Sequence, residues 1–197
     1  NAIAYCGAEP VFVDGDRHTL GLSPTALEAW LEEHARLDTD GICRSRTDHR
    51  VLRCCVPMHT FGFPVDLEGL VEVCARWNLA IVEDAAESLG SLYHGRHTGT
   101  FGLLGTLSFN GNKIITAGGG GMILANQTLA ARARHLTTTA KAPHAYEYVH
   151  DELGYNYRLP NLNAALGCAQ LEQIEAFVGA KRALADSYAA LLADSPL

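Results

Sequence analysis

The chain has 197 residues, 48% hydrophobic and 19% charged, proportions that are ordinary for one globular domain with a sizeable core. Its formal net charge of -7 is inconsistent with the basic surface that nucleic-acid binding requires, so no nucleic-acid partner is expected. The longest apolar stretches fall short of the roughly 18 residues that a membrane helix needs, so no membrane partner is expected.

The cysteines include no CxxC pair, and several fall inside predicted strands or helices. Together with the absence of a secretory pattern at the start, this predicts reduced thiols in a cytoplasmic protein and no metal site. The first residue is Asn1 rather than methionine, and a strand signal follows almost at once. We therefore expect a piece of a longer enzyme.

Strand and helix signals alternate in the first half, as they do in a parallel sheet with crossover helices. Residues 10–14 predict a strand, and Ser23 followed by Pro24 predicts the start of a helix. A near-continuous apolar run over 51–58 predicts a strand buried on both faces. In the next unit Asp66 is the predicted N-cap of a helix whose apolar stripe is Leu67, Leu70, Val71 and Cys74.

The strand predicted at 79–82 ends in Glu83 and Asp84, which places acidic residues at the carboxyl edge of a parallel sheet. Open α/β sheets bind their ligands at that edge. The second half predicts, in order, short strands at 106–109 and 122–124, a helix at 129–136, a long loop at 137–160 and a largely helical stretch at 163–192. The pattern as a whole predicts an α/β fold with three layers, a mostly parallel sheet flanked by helices.

A carbonyl cofactor needs a lysine to form a Schiff base, an acid beside its ring nitrogen and donors for its phosphate. Lys113, Asp84 and Ser108 supply these three kinds of group, and a glycine run follows at Gly118 to Gly121. Taken singly, each has a simpler explanation: a solvated lysine, a capping aspartate, a glycine-rich hairpin. A nucleotide-binding Rossmann protein is disfavoured, since no GxGxxG follows the first strand and no Walker sequence is present.

The combination resembles the DegT/DnrJ/EryC1/StrS sugar aminotransferases. The resemblance is carried by Asp84-Ala85-Ala86, by Ser108-Phe109 leading to Lys113, by the glycine run, and by a later stretch with Gly154, Asn156, Arg158, Ala164-Ala165 and Gln170-Leu171. It implies the large domain of a pyridoxal-phosphate-dependent transferase, incomplete at both ends. Residues 1–197 would be part of that cofactor-binding domain, with 161–197 forming helices that lead toward an absent small domain.

The same resemblance implies the roles of individual residues. Lys113 would carry pyridoxal 5'-phosphate and move protons, and Asp84 would pair with the pyridinium nitrogen. Ser108 would bind the phosphate, and Asn156 would reach the phosphate of a neighbouring subunit, which implies a homodimer with a shared active site. Position 87 often holds glutamine or histidine that touches the ring hydroxyl, and here it is Glu87.

Finer stretches, among them 1–10, 59–62, 87–91 and 137–141, are similar to the LegC branch of the family. That similarity implies amination of the C4 keto group of a UDP-linked 4-keto-6-deoxy-N-acetylhexosamine in legionaminic-type surface-polysaccharide biosynthesis, with glutamate as amino donor. The candidate substrate contacts are His59, Thr60, Tyr155 and Arg158.

Two alternatives remain open at this point. One is a sugar dehydratase of the same fold, although that branch has a histidine where Lys113 stands here. The other is a non-catalytic, aminotransferase-like module for ligand binding or assembly. Because the family also uses an earlier phosphate-binding segment and a small domain, we expect these 197 residues alone to bind cofactor weakly and turn over poorly.

Overall fold

The computed structural model describes residues 1–193, in which helices surround a four-stranded central sheet. In chain order the elements are α1 (Ala2–Tyr5), α2 (Pro24–His34), β1 (Ala35–Leu37), β2 (Cys43–Ser45), β3 (Cys54–Cys55), a 3₁₀ turn (Thr60–Gly62), α3 (Leu67–Arg76), β4 (Ala80–Asp84), β5 (Leu92–Tyr93), β6 (Arg96–His97), β7 (Leu104–Ser108), β8 (Gly121–Leu124), α4 (Gln127–Thr137), α5 (Asn161–Leu171) and α6 (Ile174–Leu192).

The sheet runs in the order β3-β4-β7-β8. Strands β3, β4 and β7 are parallel, and β8 is antiparallel to β7. Helix α3 makes the crossover from β3 to β4, as parallel pairing demands of two strands that follow each other in the chain. The α/β class and the mostly parallel sheet flanked by helices are thereby confirmed.

The main core lies between this sheet and helices α2 and α3. Both helices begin where the sequence predicts: the Ser23 side chain accepts a hydrogen bond from the Ala26 N–H, and Asp66 accepts one from the Gly69 N–H. Each helix then turns apolar side chains inward, although Val71 of the stripe predicted for α3 is 40% exposed and Val73 is buried in its place. The buried members of the cluster are Leu27, Leu31, Ala35, Cys43, Cys55, Val65, Leu67, Leu70, Val73, Cys74 and Ile81.

Two strand predictions in the first half are wrong in whole or in part. Residues 10–14 form no strand, and Phe12 is 88% exposed, because no strand within residues 1–193 supplies ladder partners for this segment. Of 51–58, only Cys54–Cys55 pairs as a strand, with isolated bridges at Val51 and Met58. The apolar run is present, but only Cys54 and Cys55 form continuous strand pairs with β4.

A second, smaller cluster forms under the second half of the sheet. Phe109, Ile115 and Ala117 are buried there, and Ile174 and Phe177 of α6 pack against them. The predicted helix at 129–136 is α4, and the stretch 163–192 is confirmed as helical, divided into α5 and α6. Within residues 1–193, no helix combines the length and apolarity that crossing a bilayer requires.

The hydrophobic cluster beneath α3 gives a stability prediction. Leu70→Ala in the full-length protein should lower the free energy of unfolding by about 2–5 kcal/mol, because Leu70 is fully buried and its removal leaves a cavity. Urea unfolding followed by circular dichroism measures the change.

The matched control is Glu72→Ala on the exposed side of the same helix, which should stay within about 0.5 kcal/mol of the wild type. Equal losses in the two variants would contradict the assignment of this core.

Candidate active site

The carboxyl ends of β4 and β7 lie side by side and present a row of polar side chains. Asp84 is in register with Thr106, and Ser108 follows two residues further along β7. Because side chains alternate along a strand and paired residues of parallel strands share a face, Asp84, Thr106 and Ser108 lie on the same face of the sheet. That face is half-exposed, whereas Gly105 and Leu107 on the other face are buried.

Asp84 is held firmly through its backbone. Its N–H donates to the Pro57 carbonyl at 2.8 Å, and its own carbonyl accepts from the His59 N–H at 3.1 Å. One carboxylate oxygen, Oδ1, accepts from the Ala86 N–H at 3.1 Å. Among the described residues no hydrogen bond is made to the other oxygen, so the side chain keeps an acceptor available at the sheet edge.

Lys113 lies in the connection between β7 and β8, and this connection is anchored on both sides. The Lys113 N–H donates to the Asn110 carbonyl at 3.1 Å, and Ile115, two residues on, is buried. The Thr116 N–H then donates to Gln170 of α5 at 2.8 Å. The anchoring leaves the Lys113 side chain 15% exposed and directed at Glu87, whose Oε1 lies 3.3 Å from Nζ.

Glu87 therefore joins two parts of the site. Its second oxygen, Oε2, accepts from the Phe61 N–H at 2.9 Å. The hydrogen bond from the Phe61 backbone, followed by the one from Lys113, holds the pKa of the Glu87 carboxyl below its usual range. The carboxylate is thus ionised at neutral pH and faces the lysine as a charged partner.

Glu83, the neighbour of Asp84, points to the opposite face and is fully buried. Its oxygens accept from the backbone N–H groups of Gly99, Phe101 and Gly102, each at 2.6 Å. They also accept from His59 Nε2 at 3.1 Å. Burial raises the pKa of this carboxyl, but the hydrogen bonds from His59 and the three backbone groups outweigh burial and hold it below its usual range.

His59, a candidate substrate contact, takes a structural position. Its side chain is fully buried, and Nδ1 accepts from the Val65 N–H at 3.2 Å while Nε2 faces Glu83. With both ring nitrogens used, the ring has no surface to offer a substrate. We therefore leave it out of the proposed substrate contacts. Thr60, the next residue, is partly exposed and donates to the Leu20 carbonyl at 3.1 Å.

The remaining candidates lie in the long loop after α4. Asn156 pairs with Thr138 in an isolated bridge, and Tyr155 stacks on Tyr157 with ring centroids 5.2 Å apart. Asn156 and Arg158 line a cavity of about 500 Å³ that the loop forms with the end of α4. Within residues 1–193, neither side chain forms a hydrogen bond or ion pair with Asp84, Ser108 or Lys113. The described chain thus contains two separate groups of candidate residues.

Sequence reasoning missed the buried pair of His59 and Glu83. The sequence did contain a signal for Glu83. Adjacent residues of a strand face opposite sides of the sheet, so only one of Glu83 and Asp84 can face the site. No sequence signal identified the three backbone donors to Glu83, which come from a loop 16 to 19 residues later.

The buried carboxylate predicts a pH-dependent stability. Glu83→Gln in the full-length protein should lose about 3 kcal/mol, because an amide NH₂ would then face backbone N–H donors. Since the folded-state pKa lies below the usual 4.5, the wild-type contribution is complete above that value and is lost as pH falls through the folded-state pKa.

Urea unfolding between neutral and acidic pH measures both effects, with exposed Glu72→Gln as the control. The wild type and Glu72→Gln should lose stability below about pH 4.5 more steeply than Glu83→Gln does. Parallel curves for all three proteins would show that Glu83 is not the group responsible.

Comparison with known proteins identifies the family. The model of the DegT/DnrJ/EryC1/StrS aminotransferase family matches residues 1–197. The chain is 41% identical over 189 residues to GDP-perosamine synthase of Escherichia coli O157:H7, covering 95% of this chain and 47% of that protein. It is also 41% identical over 189 residues to EpsN of Bacillus subtilis (strain 168), which carries the name of a pyridoxal phosphate-dependent aminotransferase, with 95% and 46% covered.

The fold is shared with Helicobacter pylori PseC, an aminotransferase involved in the biosynthesis of pseudoaminic acid. The two superpose with a TM-score of 0.83 at 23% identity, over 98% of this chain and 48% of PseC. The chain spans about half the length of the curated relatives it matches. The matched motifs extend over its whole length, and the chain belongs to the DegT/DnrJ/EryC1/StrS aminotransferase family.

Proposed function

We propose that the full-length protein is a pyridoxal-phosphate-dependent aminotransferase that acts on a nucleotide-linked keto sugar, with Lys113 as the residue that carries the cofactor. One observation carries this proposal. The Lys113 amine, ion-paired with Glu87, lies in the segment that directly follows Ser108, and Ser108 shares a sheet face with Asp84. The three kinds of group that the cofactor requires thus occur at one edge of the sheet in a member of an aminotransferase family.

The residues present fit the cofactor. Asp84 has a carboxylate oxygen without a hydrogen bond among the described residues, and an opposite charge there would raise the pKa of a ring nitrogen. The Ser108 hydroxyl accepts from the Asn110 N–H at 3.3 Å, so its own hydrogen is available to donate to a phosphate. When bound, pyridoxal phosphate supplies an electron sink for the carbon that gains or loses the amino group.

Lys113 has two tasks in this proposal. Its amine attaches the cofactor, and as a neutral amine it removes and returns a proton at the carbon undergoing transamination. Its anchored loop limits where that amine can reach, because Ile115 is buried and Thr116 is bonded to α5. Asp84 is held by the segment that follows β3, through Pro57 and His59, and by β7, so both groups start from anchored backbone.

For the substrates, we propose glutamate as amino donor and the C4 keto group of a 4-keto-6-deoxyhexose as acceptor. The LegC-like stretches favour a UDP-linked N-acetylhexosamine of the legionaminic type. The 41% identity to a GDP-perosamine synthase favours a GDP-linked sugar as the second candidate. Thr60, Tyr155 and Arg158 remain the proposed substrate contacts.

We further propose a homodimer in which Asn156 serves the partner's cofactor phosphate. Two features support it: Asn156 lies in an exposed loop, and that loop has no bond to Lys113 within residues 1–193. The free thiols of all six cysteines are consistent with a cytoplasmic location, which we also propose. Lys113 disfavours the dehydratase alternative, and an intact set of Lys113, Asp84 and Ser108 disfavours a non-catalytic module.

Replacement of the lysine tests the proposal directly. Lys113→Ala in the full-length protein should abolish transamination and covalent capture of the cofactor, because it removes the amine that is proposed to form the bond with the cofactor. Borohydride reduction followed by peptide mass spectrometry detects the captured cofactor on the wild-type peptide that contains Lys113. Lys113→Arg is the matched control, since it keeps the charge but cannot form the bond. Transamination or covalent capture retained by either variant would refute the assignment.

Asp84→Asn gives a second, graded prediction. The amide cannot stabilise a protonated ring nitrogen, so kcat should fall by on the order of 10²-fold or more while the cofactor still attaches to Lys113. Steady-state kinetics and the reduction experiment measure the two properties separately. A normal kcat in Asp84→Asn would show that another group acts on the ring.

A substrate panel distinguishes the two sugar classes. With glutamate as donor, the full-length protein should aminate one or both of two 4-keto-6-deoxy sugars, one UDP-linked and one GDP-linked. We expect kcat/KM for the preferred sugar to be at least about tenfold above kcat/KM for the other. Mass spectrometry of the aminated nucleotide sugar identifies the product. Absence of amination with every sugar in the panel would contradict the proposed substrate class.

A further inference from the structure

Glu87 is the residue whose role the sequence leaves open, and its contacts are unusual. One carboxylate bridges the Lys113 amine, 3.3 Å from Oε1, and the Phe61 backbone N–H, 2.9 Å from Oε2. The first partner belongs to the connection that follows β7, and the second belongs to the 3₁₀ turn that follows β3. The side chain is 32% exposed, so the bridge lies at the open edge of the site.

The Phe61 end of the bridge is conformationally strained. Phe61 has a φ of +53°, in the left-handed region that a bulky residue rarely adopts. Such a conformation persists only where surrounding contacts over-determine it. The Phe61 ring itself is 77% exposed, so packing of the side chain does not supply those contacts within the described residues.

Hydrogen bonds to the turn supply them instead. The Thr60 hydroxyl donates to the Leu20 carbonyl at 3.1 Å, and the Ser91 hydroxyl donates to the Gly62 carbonyl at 2.7 Å. The Phe61 N–H has Glu87 as its partner. Of these three contacts, the one with Glu87 involves a full charge, and charge-assisted hydrogen bonds are the stronger kind.

Lys113 also contributes to the ionised state of Glu87. Within residues 1–193, Lys113 is the charged side chain in contact with Glu87. Asp84 lies three residues before Glu87 in the chain. Donation by the Phe61 N–H, and after it the hydrogen bond and attraction of the Lys113 ammonium, favour the ionised carboxylate. A change of charge at Lys113 therefore alters the acceptor that holds Phe61.

We propose that Glu87 is a positioning residue that couples the charge state of Lys113 to the strained Phe61 turn. While the Lys113 ammonium is present, the bridge holds the turn with the Phe61 ring directed outward at the edge of the site. Loss of that charge breaks the contact at Oε1 that keeps the Glu87 side chain directed at the turn, so its hold on the Phe61 N–H weakens. The coupling is a property of the cofactor-free chain and goes beyond the proposed reaction.

The experiment uses cofactor-free full-length protein labelled with ¹⁵N-phenylalanine. The Phe61 amide resonance is assigned by its loss in Phe61→Leu, and its hydrogen exchange and pH titration are then measured. In the wild type the resonance should titrate with a midpoint below the usual glutamate value of 4.5. Glu87→Ala should speed exchange of this amide by roughly tenfold or more, because the bond to a charged acceptor is lost.

Two pairs of variants separate coupling from a merely structural role. Glu87→Gln keeps an oxygen acceptor for the Phe61 N–H but loses the charge and the ion pair, so protection should fall between that of the wild type and that of Glu87→Ala while the titration disappears. Lys113→Met removes the positive charge at similar size and should both move the titration midpoint upward and speed exchange of the Phe61 amide, whereas Lys113→Arg should leave both near the wild-type values. The Glu87→Gln arm keeps the test informative even if Glu87→Ala fails to fold.

Unchanged exchange of the Phe61 amide or an unchanged midpoint in Lys113→Met would overturn the coupling, and so would unchanged exchange in a folded Glu87→Ala. No cofactor or substrate enters this experiment. Failure of the coupling is therefore distinguishable from failure of the proposed aminotransferase activity, which the borohydride experiment tests independently.

Discussion

The alternation of Glu83 and Asp84 at the end of β4 is the constraint on which the site depends. Glu83 turns inward and accepts four hydrogen bonds, three of them from the loop around Gly99 to Gly102. An unpaired carboxylate in that position would cost several kcal/mol, on the order of 3–5, so the four donors fix the orientation of the strand end. With Glu83 fixed on the buried face, Asp84 must present its carboxylate on the other.

The parallel pairing of β4 with β7 extends this constraint to the rest of the site. Asp84 is in register with Thr106, so Ser108 and the connection carrying Lys113 emerge beside it. The connection is then secured from behind by Ile115 in the small cluster and by Gln170 of α5. Rigid strands and buried anchors thus hold the few exposed polar groups, an arrangement that favours positioned chemistry over a flexible surface loop.

Glu87 adds a polar link at the open edge of this rigid frame. It faces the lysine with one oxygen and a strained backbone with the other. Backbone strain of this kind persists only where the surrounding structure holds it, and it is found most often at functional sites. The loop containing Asn156 and Arg158 contributes a second polar surface, whose proposed counterpart is a neighbouring subunit.

The sequence by itself determined the class of fold, the caps at Ser23 and Asp66, most helices, and the motifs that identify the family, because capping and apolar periodicity are local properties. The tertiary structure decided that 10–14 forms no strand, that His59 serves Glu83 inside the protein, and that Glu87 bridges Lys113 and Phe61. Each of these depends on whether partners distant in the chain lie close enough to pair. Pairing, burial and a left-handed φ are set by such partners, and no local pattern of residues specifies them.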